Sequence, residues 1–338
     1  MRQFLFATAV AFTPVTTTAQ EADPTISRVV NDLILPKFEN LAVSAAQMAT
    51  TAADDCTPAS TALRTAYSDA FDAWISASHL RFGPTEVADR AFALAFWPDS
   101  RGATPRALSA LITEKDRAIT SPDAYAQVSI AARGFYAMEF LVFDETLASL
   151  GDPDDHCALM RTVTADIATT SAAIFEDWKT DYAARLLAPD ASGTYRSDEE
   201  VLQELFKALT TGLQFTSQTR LGRPLGTFDR PRPTRAESWR SGRSARHVDL
   251  SLAALRDLAS LLATDNLALA AEIDAKFAKA LDQLSQLDDP VFAGVAQPQS
   301  RIRVEALQQS VDDIRAIVRD ELGPTLGVAA GFNSLDGD

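Results

Sequence analysis

Histidine and cysteine are scarce in this chain: three of the first and two of the second among 338 residues. The shortage limits its chemistry. A four-cysteine zinc site is excluded by count, and a two-cysteine, two-histidine site lacks the close cysteine spacing it needs, because Cys56 and Cys157 are 101 residues apart. There is no Gly-x-Ser-x-Gly elbow, no His-Glu-x-x-His pair and no glycine loop that would cradle a phosphate. No catalytic residue is therefore assigned. Positive charge is also short, with 31 basic residues against 46 acidic and a net charge of -15. That balance excludes wrapping nucleic acid or adhering to anionic lipid. No apolar run reaches the roughly 20 residues that cross a bilayer, so the mature chain has no expected transmembrane segment.

What is present begins at the N-terminus. MRQFLFATAVAFTPVTTTAQEADP carries Arg2, an apolar run from Phe4 to Phe12, then small residues to Ala19. This pattern predicts a secretory signal peptide over residues 1–19 and places the mature protein in the periplasm. In that oxidising compartment Cys56 and Cys157 are expected to form a disulfide. The remaining pattern is helical almost throughout. Thr57 and Pro58 predict a helix start, followed by an apolar stripe of Leu63, Tyr67, Phe71 and Trp74. Ser197 and Glu200 read as a capping box, with Val201, Leu202, Leu205, Leu209 and Leu213 on one face. With no alternating strand pattern, the expected fold is all-α, built from two antiparallel helical bundles.

Two irregular stretches interrupt the helices, Leu80 to Gly102 and Thr219 to Ser244. Each opens on arginine, an apolar residue and glycine, with proline close behind, and each carries a tryptophan. Arg81 and Arg220 are 139 residues apart; Trp97 and Trp239 are 142 apart. Such a spacing predicts an internal duplication. The bundles are expected over 24–150 and 151–336, with the boundary near Gly151-Asp152-Pro153.

LRFGP, FWPDSRG, GFYAMEF and ESWRSGRS, in that order behind a signal peptide, resemble the imelysin family. The resemblance implies two four-helix bundles related by duplication, a site at their interface, and a part in iron uptake or regulation beside iron-uptake components. The family is also filed as metallopeptidase-like, so a metal-dependent peptidase and a metal-free interaction module stand as alternatives, and iron is the one cofactor implied. The family signature Gly-x-His-x-x-Glu reads here Gly134-Phe135-Tyr136-Ala137-Met138-Glu139, with tyrosine in the histidine position. A phenol ligates well only when a strong Lewis acid removes its proton, which suits ferric iron better than zinc.

Glu139 and Tyr136, with His79 nearby, form the candidate metal set, variant or lost. Against it stand an ion pair between Glu139 and Arg81, Arg133 or an ESWRSGRS arginine, and a core tyrosine with one hydrogen bond. His247 is a further candidate, and His156 is read as a surface residue. Arg240 and Arg243, with Arg230, Arg232, Arg235 and Arg246, suit an anion such as an acidic chelate. Gly134, Trp97, Asp99, Glu237 and Trp239 match the family segments and complete the expected pocket with Arg81.

Overall fold

The computed structural model describes residues 23–328. The expected signal peptide and the last ten residues lie outside them. Nine helices of ten residues or more occur among the described residues: α1 (Leu35–Asp54), α2 (Thr61–Ala77), α3 (Ala103–Thr113), α4 (Gly134–Phe143), α5 (Pro153–Asp177), α6 (Asp198–Gln214), α7 (Ser244–Leu262), α8 (Leu267–Ser285) and α9 (Pro298–Ile317). No strand forms among these residues; one isolated bridge joins Thr227 and Arg230. The all-α expectation holds.

Local chemistry sets the helix starts. Asp23 accepts from the N–H groups of Thr25 and Ile26, with Pro24 as the first helical residue, and Asp152 and Pro153 open α5 in the same way. The α2 cap is Ser60, whose hydroxyl accepts from Leu63, so the helix begins three residues after the expected Thr57–Pro58 start. At α6 the side chain of Ser197 does not cap, and Glu200 instead accepts from the backbone N–H of Arg196. The expected apolar stripes are buried at Leu63, Tyr67, Phe71 and Trp74, and at Val201, Leu205, Leu209 and Leu213, while Leu202 is half-buried.

Helices α1, α2, α4 and α5 pack as one group, and α6 to α9 as another. Helix α5 lies along α1, and the Cys56–Cys157 disulfide ties its first turn to the end of α1. The turn at Gly151-Asp152-Pro153, expected as a boundary, is thus a turn between helices of the first group. The seam is formed where α2 and the Val29–Ile34 turn meet α7, and one apolar core runs through both groups. Helix α4 is apolar around its circumference, with eight of its ten residues buried, and is sunk in the interior as that pattern requires.

Four stretches are π-helical among the described residues: Val29–Ile34, Trp178–Tyr182, Phe215–Leu221 and Val318–Leu322. The extra residue per turn rotates the side chains beyond it about the helix axis, and such bulges favour functional positions. The third matters most, because it extends α6 and carries Thr216, Ser217 and Arg220 into the interior.

Gly134 opens α4 at a φ of +77°, and a Cβ there would run into the carbonyls of Ala93 and Leu94. Both the conformation and the space require glycine. Gly134→Ala is expected to cost about 2 kcal/mol or more, read as a lower midpoint in thermal unfolding. An unchanged midpoint would show that the backbone relaxes.

Candidate functional site

The interior turns on Glu237, which is 2% exposed. Tyr136 donates its hydroxyl to Oε1 at 2.5 Å, and Arg220 donates from Nε to Oε2 at 2.7 Å. His247 Nδ1 lies 3.2 Å from Oε2, but off the line of a directed hydrogen bond. Arg220 also donates to Ser251, whose hydroxyl meets that of Thr216. Residues from α4, the π turn after α6, the loop before α7 and α7 itself thus share one carboxylate. Burial alone would raise the Glu237 pKa; Arg220, His247 and Tyr136 outweigh it and bring the value down to about 2. Burial, together with the charge on Glu237, pushes the Tyr136 phenol well above its ordinary range.

Glu139 is buried but joins none of the arginines expected for it. Its Oε1 accepts the backbone N–H and the hydroxyl of Ser241. Burial raises its pKa, and those two bonds oppose the rise. The arginines go elsewhere: Arg81 to Glu86, Arg133 to Asp166, Arg240 to Asp144, and Arg243 with Arg246 to Asp72. Arg240 also lies over the rings of Phe140 and Trp239. Asp99 accepts from the N–H groups of Arg101, Ala103 and Thr104, so it builds the start of α3.

Two cavities flank Tyr136 and Trp97. The larger, of about 430 Å³, is walled by Trp74, Phe92, Trp97 and Phe215, with Glu237 and Arg220 at its inner end. Its cations and carboxylates match in number: Arg81 faces Glu86, Lys207 faces Glu204, and Arg220 faces Glu237. His79 lines it too, 6% exposed, with neither ring nitrogen hydrogen-bonded. Burial, with help from Lys37 and Arg220, lowers its pKa to about 3, so the imidazole is neutral. The smaller cavity, of about 200 Å³, holds Glu139, Asp99, Ser238, Trp239 and three arginines.

The residues do not fit a metal. Glu139 and His79 line different cavities, and Tyr136 spends its proton on Glu237 rather than giving it up to an ion. Among the described residues, no three His, Cys, Asp or Glu side chains are grouped to hold one. His247 approaches Glu237 rather than Glu139, and His156, expected at the surface, is buried. The sequence marked Arg220 only as a repeat of Arg81, and gave no role to Ser251, Asp144 or Asp72. Their partners lie 17 to 174 residues away along the chain, and no local motif signals such pairings.

The imelysin family model matches residues 34–318. Iron-regulated protein A of Synechococcus elongatus is 22% identical over 327 residues, covering 87% of this chain and 84% of that protein. The crystal structure of an imelysin-like protein from Psychrobacter arcticum 273-4 superposes with a TM-score of 0.79 at 21% identity, covering 95% of this chain and all of that one. A second crystal structure, from Parabacteroides distasonis ATCC 8503, gives 0.73 at 12% identity over 87% of this chain and 93% of its own.

Proposed function

Because the chain belongs to the imelysin family, we propose that it is a periplasmic component of iron acquisition that binds a compact, uncharged iron chelate between its bundles. The observation that carries this reading is the larger cavity, with aromatic walls, paired charges and one buried imidazole that has no partner. A site of that size and lining takes a small organic molecule. Matched charges favour a ligand with none of its own, because a desolvated net charge would go unanswered. His79 offers that ligand one donor and one acceptor. The iron assignment draws on the name of the Synechococcus relative, and the periplasmic one on the leader pattern of residues 1–19.

The proposal includes two related halves, divided between Leu187 and Asp198. In support, the π turns that follow α5 and α9 start 140 residues apart, at Trp178 and Val318, close to the spacing of Arg81 and Arg220.

Titration with neutral ferric tris(acetohydroxamate), followed by tryptophan fluorescence, tests the binding. Trp74 and Trp97 line the cavity and report occupancy. Saturable quenching is expected, weakened about ten-fold in His79→Phe, where the loss of two polar contacts outweighs the retained ring. Zinc chloride is expected to give no stoichiometric binding. The proposal fails if the chelate does not saturate, or if zinc binds one-to-one and Glu139→Gln abolishes it. Equal protein levels in iron-poor and iron-rich cultures would remove the iron connection.

A further inference from the structure

The smaller cavity differs from the larger in charge. Five acidic or basic side chains line it beside the Tyr136 phenol: Asp99, Glu139, Arg223, Arg235 and Arg240. Asp99 is occupied by three backbone N–H groups. Glu139 has one oxygen taken twice by Ser241, and burial eases its protonation. Arg240 is matched by Asp144. Arg223 and Arg235 have no carboxylate. The Nε of Arg223 is buried with no acceptor, while its guanidinium lies over Trp97. Acidic residues outnumber basic ones by 15 in this chain, so the missing partner does not reflect a shortage of carboxylates. Of the four buried or half-buried arginines between Thr219 and Ser244, Arg220, Arg240 and Arg243 each face one and Arg223 alone does not, while Arg235 reaches the cavity from its exposed side.

Ser238 supplies an independent sign. It is 3% exposed, lines the same cavity, and its hydroxyl has no partner. Its φ is +49°, a conformation that costs a side-chain-bearing residue energy and that clusters at ligand-binding positions. A buried donor and two unanswered guanidinium groups around about 200 Å³ lack the same thing: a small acceptor of negative charge.

We propose that this cavity binds a compact oxyanion, a phosphate or a carboxylate group, held by Arg223 and Arg235 with Ser238 donating its hydroxyl. Guanidinium forks present paired N–H groups at the spacing of two oxygens on one phosphorus or carbon. The cavity volume admits inorganic phosphate or one carboxylate arm of a larger acid. Trp97 and Tyr136 separate this cavity from the larger one, and the assignment does not depend on what fills that one.

Calorimetric titration of the full mature chain with inorganic phosphate, and separately with citrate, tests the site at low ionic strength. Saturable binding of at least one anion is expected, weakened about ten-fold or more by Arg223→Gln and by Arg235→Gln, and weakened by added salt. Phosphate alone would identify a free inorganic anion, and citrate alone a carboxylate acid. Arg223→Gln removes an unmatched, partly buried charge and is expected to melt no lower than the parent, so lost binding is not lost folding. No saturable heat with either anion up to about 10 mM, or unchanged affinity in the double variant, overturns the proposal.

Discussion

Replacing Glu237 with glutamine is expected to cost about 3–5 kcal/mol of folding stability, a loss on the scale of breaking a buried ion pair from one side. The substitution keeps the shape and leaves an oxygen for Tyr136 or Arg220, but it removes the charge that answers the Arg220 guanidinium. That guanidinium is 4% exposed and has only the Ser251 hydroxyl as a further side-chain acceptor. Arg220→Met in the same chain removes the stranded charge, so the double variant is expected to recover at least half of the loss. Denaturant unfolding of the four proteins closes the cycle. A single variant within 1 kcal/mol of the parent would show the pair to be hydrated rather than buried. The pH dependence gives a second readout. With a folded pKa of about 2 against an ordinary 4.5, the Glu237 contribution is present above pH 4.5 and is lost as pH falls through the folded value. It is worth about 3 kcal/mol on that shift. Glu237→Gln should therefore flatten the acid limb of the stability profile between about pH 5 and pH 2, where the parent loses stability.

That same carboxylate shows how far the sequence could be read. Helix positions were legible because the apolar stripes repeat at helical spacing, and Leu63, Tyr67, Phe71 and Trp74 are buried as that spacing requires. Glu139 was legible as a buried group because it sits in an apolar run. Its partner was not: the expected arginines all have nearer carboxylates, and a serine 102 residues away supplies the two donors. Tyr136 and Glu139 stand one turn apart on the same helix, a spacing that suits joint ligation, yet the Tyr136 hydroxyl reaches Glu237, 101 residues distant. Pattern along a helix reports which face is buried. It does not report which loop covers that face, because crossovers and turns set this and leave no periodic trace. The turn at Gly151 has every sequence mark of a domain boundary, and what makes it internal is the packing of α5 along α1, a long-range fact.

Reducing the Cys56–Cys157 bond is expected to lower stability by about 4–5 kcal/mol, the entropic value for a closed loop of about 100 residues. The bond spans 101 residues and encloses α2, α3 and α4, so the helix bearing Tyr136 and Glu139 lies inside the loop. In the folded chain the link adds little order, because α1 and α5 already pack along their length and Phe38 of α1 stacks on Trp178 just beyond α5. Its effect falls on the unfolded chain, whose freedom it restricts. Cys56→Ser with Cys157→Ser should therefore keep the helical circular dichroism signal of the parent while melting about 10 °C lower, and adding reductant to the parent should reproduce the shift. Thiol labelling of the denatured, unreduced protein should find no free cysteine. A reduced protein that melts within about 2–3 °C of the oxidised one would place α1 and α5 together in the unfolded ensemble as well, since a link between segments that are never apart removes almost no entropy.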